Sequence, residues 1–247
     1  MPELPEVETI RLGLQKYIVG KTIEDVEVRL RKIVSGDTKN IIGAKVIDVR
    51  RFGKGLVIDL DNGYSIAAHI KLTGQFIYRD SDTLSLKLSP KVGTTLPNKF
   101  THAIFKFNKG AVLYYNDIRQ FGWIKIVKSD KIKEISFFKD LGPEFFKDLT
   151  FEKFKEIVSK SNLKIKVLIM DQKKMSGVGN IYANDALFEA RIDPSRKAKD
   201  LSEDKIQKLY NAILKVLKIG LKQGGASELS FVNVLGQDGG YQNHFLV

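Results

Sequence analysis

Halfway along the chain the spacing of apolar residues changes from two to between three and four. Lys21–Leu30 and Lys45–Arg50 alternate apolar and polar residues, as strands with one buried face do. Leu56–Leu60 and Tyr64–His69 flank Asp61-Asn62-Gly63, and Ile104–Phe107 and Val112–Tyr115 flank Asn108-Lys109-Gly110. Both triplets are hairpin turns by composition. Trp123–Val127 closes the series, and residues 80–100, polar with Pro90, Gly93 and Pro97, read as a surface loop. From about residue 132 the period becomes helical. Phe151–Lys160 and Leu201–Leu221 carry apolar stripes, the latter with Ser202 as its N-cap, Ile165–Met170 reads as a short apolar helix, and Asp185–Glu189 continues a helix after a glycine-rich entry. Neither half can be refolded into the class of the other without turning its apolar face to water.

These patterns predict an α+β chain of two domains. An N-terminal β-sandwich covered by an N-terminal helix spans 1–132, a linker marked by Leu141-Gly142-Pro143-Glu144 spans 133–150, and a helical domain spans 151–247. A length of 247 residues is enough for both cores.

The chain begins Met1-Pro2-Glu3-Leu4-Pro5-Glu6, then runs into a helix with Val7, Ile10, Leu14 and Tyr17/Ile18 on one stripe. Pro5 and Glu6 suit a first helical turn. With Met1 removed, Pro2 is a secondary amine, which gives an iminium directly when it attacks a sugar C1′. Glu3 is then an acid/base one residue away. The alternative, left open by these six residues, is that Pro2 protects the terminus and the two glutamates cap the helix.

A net charge of +12 points to a polyanionic partner, nucleic acid first. Arg50-Arg51-Phe52-Gly53-Lys54-Gly55 and the Gly177-Val178-Gly179-Asn180 turn before a helix both suit phosphate, the first through its cations and the second through its backbone N–H groups. In Asn116–Gly122, Arg119 and Phe121 are spaced to wedge into a base stack, although Phe121 in the core is the plainer reading. The chain has no cysteine, which excludes disulfides and cysteine-ligated zinc, and its three histidines show no metal-ligand spacing. No apolar run reaches the roughly 18 residues of a membrane span, and no signal-peptide layout is present, so the expected location is cytoplasmic.

With these motifs in place, the chain resembles the formamidopyrimidine-DNA glycosylases. The resemblance rests on PELPEVET at the N-terminus and GVGNIYAND at 177–185, supported by RRFGKGL (50–56), HIKLTGQ (69–75), NDIRQFG (116–122), LGPE (141–144), IKVLIMDQ (165–172) and GGAS…F (224–231). It implies a β-sandwich domain and a helix-two-turn-helix domain with damaged double-stranded DNA in the cleft between them. It implies removal of oxidised purines and strand cleavage by β- then δ-elimination. By resemblance Pro2 is the nucleophile, Glu3 the acid/base, Glu6 a second acid of the pocket, and Lys54 a phosphate contact that assists elimination. Lys166 and Asn180, with Tyr182 beside them and His69, match DNA contacts; Leu72, Arg119 and Phe121 match the trio that fills the void of the flipped base. Residues 222–241 match a loop that closes over that base.

The sequence departs from the family pattern at Leu72, where a methionine is usual, and at Phe100, where a histidine is usual. The family's four-cysteine zinc finger would begin after Val247, so a truncated or a zincless form is expected, the former favoured, acting as a monomer without cofactor. Two further functions stay open: an endonuclease VIII-like activity on oxidised pyrimidines, against which Leu4 counts, and damage binding without catalysis.

Overall fold

The computed structural model describes residues 1–247. Helix α1 (Leu4–Ile18) is followed by β1 (Ile23–Val28), β2 (Val34–Ser35), β3 (Val46–Phe52), β4 (Gly55–Leu60), β5 (Tyr64–His69), β6 (Gly74–Arg79), β7 (Thr101–Phe107), β8 (Val112–Asp117) and β9 (Trp123–Lys128). The strands form two sheets, in the orders β1-β7-β8-β6 and β2-β9-β5-β4-β3. The two predicted hairpins are present: β4 pairs antiparallel with β5, and β7 with β8. Val7, Ile10, Leu14 and Ile18 of α1 join the core between the sheets. The alternation of period two is thus satisfied by a shared interior, and the helix stripe supplies one wall of it.

Residues 80–100 have no regular structure, as expected, yet they are not a free surface loop. Val92 is buried, and Leu88 and Leu96 pack with Ile77 of β6 and Val232. Asn98 holds the far end by donating to the Val92 carbonyl at 2.9 Å.

The second half contains a short α2 (Ser136–Lys139), then α3 (Phe151–Ser159), α4 (Ile165–Met170), α5 (Asn180–Glu189) and α6 (Glu203–Lys222). Ser202 stands at the N-cap of α6, but its side chain makes no capping bond. The helices share a second core, built on Phe154, Leu168, Ala186, Leu209, Ile213 and Leu217. No helix is long and apolar enough to cross a membrane.

The two cores exchange residues. Leu4, at the start of α1, lies in the helical core, whereas Phe231 and Val234, from the far end of the chain, lie in the sandwich core. A buried ion pair reinforces this crossing. Arg51 of β3 gives two bonds to Glu144, at 2.6 and 2.7 Å, and its Nε reaches Glu8 of α1 at 2.7 Å. Glu144 also accepts the Gly53 N–H at 2.8 Å. The basic turn therefore does not offer its arginines to phosphate, contrary to the sequence expectation: Arg51 is consumed by two carboxylates, and Arg50 is paired with Asp59.

Glu144→Gln removes one of those carboxylates and leaves Arg51 buried with Glu8 alone. The expected loss is about 3 kcal/mol, because a broken buried pair strands a charge. Arg51→Met with Glu144→Leu should recover part of it, read from urea-denaturation midpoints of the two variants.

Candidate active site and nucleic-acid face

The N-terminal segment is threaded between the two domains. Leu4 N donates to the Gly177 carbonyl at 2.9 Å, which ties α1 to the glycine turn before α5. The Glu3 carboxylate then accepts the N–H groups of Gly179, at 2.5 Å, and Ile181, at 2.8 Å. The backbone donors expected to hold a phosphate are thus already taken by a carboxylate of the protein itself. Gly177 N is also occupied, donating to Gln172 Oε1 at 3.0 Å. The physical logic of an anion at a helix N-terminus is retained, but the anion is internal.

Glu6 reaches back to the Glu3 N–H at 2.8 Å, which is the helix-capping interaction foreseen as the plain reading. Its other oxygen accepts the Tyr182 hydroxyl at 2.8 Å and the Ala226 N–H at 2.7 Å. Glu6 therefore joins α1, α5 and the segment after α6. Tyr182 stacks on Tyr241 at 4.7 Å, and the Tyr241 hydroxyl donates to Asp185 at 2.7 Å.

Glu3 and Glu6 are each 1% exposed and Lys54 is 3% exposed. Burial, helped by the charge of Glu6, raises Glu3 to about 7, although Lys54 and the two N–H donors oppose the shift. Burial also raises Glu6 and lowers Lys54, in the second case against the attraction of both glutamates. Holding Glu3 ionised costs the fold about 3 kcal/mol, because its carboxyl is pushed up to about 7 in the fold. The cost is absent below the ordinary carboxylate range near 4.5, where the folded and unfolded forms are both protonated, and it grows as pH rises towards 7.

Pro2 is buried at the edge of a cavity of about 20 Å³ that is lined also by Met1, Glu6, Leu72, Ile181, Ala226 and the tip Glu228–Phe231. That volume holds about one water. Larger depressions, of about 590 Å³ beside α6 and 660 Å³ beside Phe52 and Phe138, share no residue with it.

The remaining expected contacts divide into two groups. Arg119, Phe121 and Asn180 are exposed, and Leu72 and Lys166 are half-buried. Phe121 is 59% exposed with the Arg119 guanidinium over its ring at 4.9 Å, so the core reading of Phe121 is wrong. His69 and Tyr182 are buried and present no face to a ligand, contrary to expectation. Tyr182 stands behind Glu6. His69 packs against Phe137 at 4.5 Å and accepts the Lys71 N–H at Nδ1, 2.9 Å away, so it braces the turn that carries Leu72. Burial and two nearby lysines hold it at about 3, neutral throughout the physiological range. Phe100 is half-buried with Lys99 over its ring at 5.0 Å. Sequence reasoning missed Arg51 with Glu144 and the buried Asp117; only the NDIRQFG and LGPE segments, read as a turn and a linker, marked where they lie.

Residues 1–124 match the formamidopyrimidine-DNA glycosylase N-terminal domain, and residues 141–231 match the H2TH domain of the same enzymes. The chain belongs to the formamidopyrimidine-DNA glycosylase family. It is 38% identical to the enzyme of Pelotomaculum thermopropionicum, over all of this chain and 87% of that protein. It is 34% identical to that of Streptococcus mutans, over 98% and 86%. The Lactococcus lactis Fpg in complex with a DNA containing N7-benzyl-Fapy-dG superposes with a TM-score of 0.85 at 30% identity, covering 99% of this chain and 87% of that one. The same enzyme bound to DNA with an abasic site also gives 0.85, covering 98% and 86%. Enzymes of this family are bifunctional, DNA glycosylases and abasic-site lyases that act in DNA repair. Residues 1–247 hold no cysteine and no group of three or more histidines and acids placed to hold a metal.

A carboxyl NMR titration should place Glu3 near 7. Lys54→Met should move that midpoint upward, because the removed cation favours the carboxylate. A downward move would show that Lys54 does not face Glu3.

Proposed function

We propose that this chain excises oxidised purines, 8-oxoguanine and formamidopyrimidines, from duplex DNA through a covalent intermediate on Pro2. It then cuts the strand at the abasic site by β- and δ-elimination. The observation that carries this reading is Glu3, buried next to Pro2 and poised near 7. A carboxyl group half protonated at neutral pH can donate and accept a proton within one reaction. A purely structural capping residue gains nothing from that poise.

The chemistry follows from the groups present. With Met1 removed, the Pro2 nitrogen attacks C1′, and the glycosidic bond breaks with its electron pair leaving on the base. The nitrogen gives up its proton, and its lone pair then expels O4′ of the ring. Glu3 protonates that oxygen, and the N=C1′ iminium results. The iminium acidifies C2′–H, so loss of that proton expels the 3′-phosphate, and loss of the C4′ proton then expels the 5′-phosphate. Lys54, buried beside Glu3 and short of its usual basicity, assists elimination rather than contacting phosphate at the surface. Glu6 holds the Glu3 backbone and Ala226 in register around the reacting sugar.

A base cannot be attacked at C1′ while stacked, so the nucleotide must leave the helix. Leu72, Arg119 and Phe121 supply apolar and cationic groups to fill the gap, and Lys166 and Asn180 hold the strand nearby. The cavity at Pro2 is walled on one side by Met1 and on another by Glu228–Ser230, so it opens when Met1 is removed, and the tip at 228–230 is the wall that moves to admit a purine. The rest of that loop stays anchored, since Ser227, Phe231 and Val234 are buried.

Borohydride trapping tests this reading. A chain that begins at Pro2 should form a covalent adduct with an 8-oxoguanine·C duplex. Pro2→Gly should weaken trapping, and Glu3→Gln should block base excision. Full activity in both variants, or no adduct with the processed chain, would sink the assignment. Faster cleavage of thymine glycol·A than of 8-oxoguanine·C would transfer the chain to the pyrimidine branch.

A further inference from the structure

Two separate turns carry the groups that fill the gap. Leu72 sits between β5 and β6, and Arg119 and Phe121 sit between β8 and β9. A single node built on the buried Asp117 and the half-buried Thr73 joins them. The Thr73 hydroxyl donates to Asp117 Oδ1 and accepts the Arg119 N–H at 2.9 Å. Asp117 Oδ2 accepts the Gly122 N–H at 2.8 Å. The backbone of Asp117 is held as well: its N–H donates to the Phe100 carbonyl at 2.9 Å, and its carbonyl lies 2.8 Å from His102 Nε2. Asp117 has no exposed surface. Gly74 and Gly122 close the node against the Tyr115 hydroxyl, a buried group with no hydrogen-bond partner.

The chemistry of the node is specific. Both oxygens at position 117 must accept, which a carboxylate does and an amide does not. Position 73 must donate in one direction and accept from another, which a hydroxyl does and a methyl group does not. We propose that Thr73 and Asp117 are positioning residues that hold the two turns as one rigid wedge, so that Leu72, Arg119 and Phe121 enter the duplex together. Without the joint, each turn must be ordered separately at the moment of insertion, and that ordering is charged to the flipping step. The inference rests on the reading that these three side chains fill the space of an extruded base.

Single-stranded DNA separates the joint from the reaction, because it has no stack to wedge open. The chain beginning at Pro2 is assayed on an 8-oxoguanine·C duplex and on a single strand with an abasic site. Thr73→Val, which keeps the shape and loses the hydroxyl, should slow the duplex reaction about tenfold, the worth of one hydrogen bond to a charged group. It should leave the single-strand rate in place, and Thr73→Ser should restore the duplex rate. Asp117→Asn should act in the same direction, with its melting temperature confirming that it folds. Equal slowing on both substrates, or no slowing on the duplex, overturns the joint. If the parent chain leaves the single strand uncut, the Pro2 reading fails and the joint fails with it. If the parent cuts both substrates and Thr73→Val matches it, the joint alone fails.

Discussion

The capture of the Glu3 carboxylate by the first turn of α5 sets the geometry of everything around it. Two opposed effects meet there. The N–H groups of Gly179 and Ile181, the helix dipole and the nearby Lys54 all favour the ion, while full burial and the charge of Glu6 disfavour it. Burial wins, but only by enough to bring the group to about 7. Glycine at 179 is what permits so close an approach. A Cβ there would lie 2.6 Å from the Glu3 carboxyl carbon and 2.8 Å from Lys54 Nζ.

The same interaction explains why the domains are stitched rather than merely linked. A catalytic residue on a free N-terminus would be mobile. Here the terminus is fixed from four sides: by the glycine turn through Leu4, by α5 through Glu3 and Tyr182, by the segment after α6 through Ala226, and by the linker through Arg51 and Glu8. The exchange of Leu4 for Phe231 and Val234 between the cores adds apolar burial to this polar frame. Stability spent on an internal carboxylate is offset by these contacts, a common arrangement at functional sites.

Local patterns made most of the fold legible, and long-range pairing hid the rest. Strands with one exposed face, such as β1 and β3, announce themselves by alternation. Strand β6 does not, because all six of its residues are buried and its apolar and polar side chains follow no period of two. Helix α6 was plain from its stripe. The basic turn misled because its charges were counted without their partners, and Glu144 lies 93 positions from Arg51. The glycine turn misled in the same way: its donors look free until Glu3, 176 positions earlier, is placed on them. Pro2 and Lys54 stood out by their own chemistry, but similarity to the family is what assigned them roles and what brought Lys166 forward. The structure then separated Arg119 and Phe121, which are exposed, from His69 and Tyr182, which are buried supports.

The bond from Ala226 to Glu6 spans 220 positions, nearly the whole chain. The first residues to leave the ribosome are therefore among the last to reach their final place. A nascent chain carries Glu3 and Glu6 long before the groups that bury and poise them, at 179, 181, 182 and 226, which follow Glu3 by 176 positions or more. Until then the donors and walls that bury Glu3 are missing. The environment that poises Glu3 therefore cannot exist before residues 179–226 have been made and folded back onto the first turn of α1.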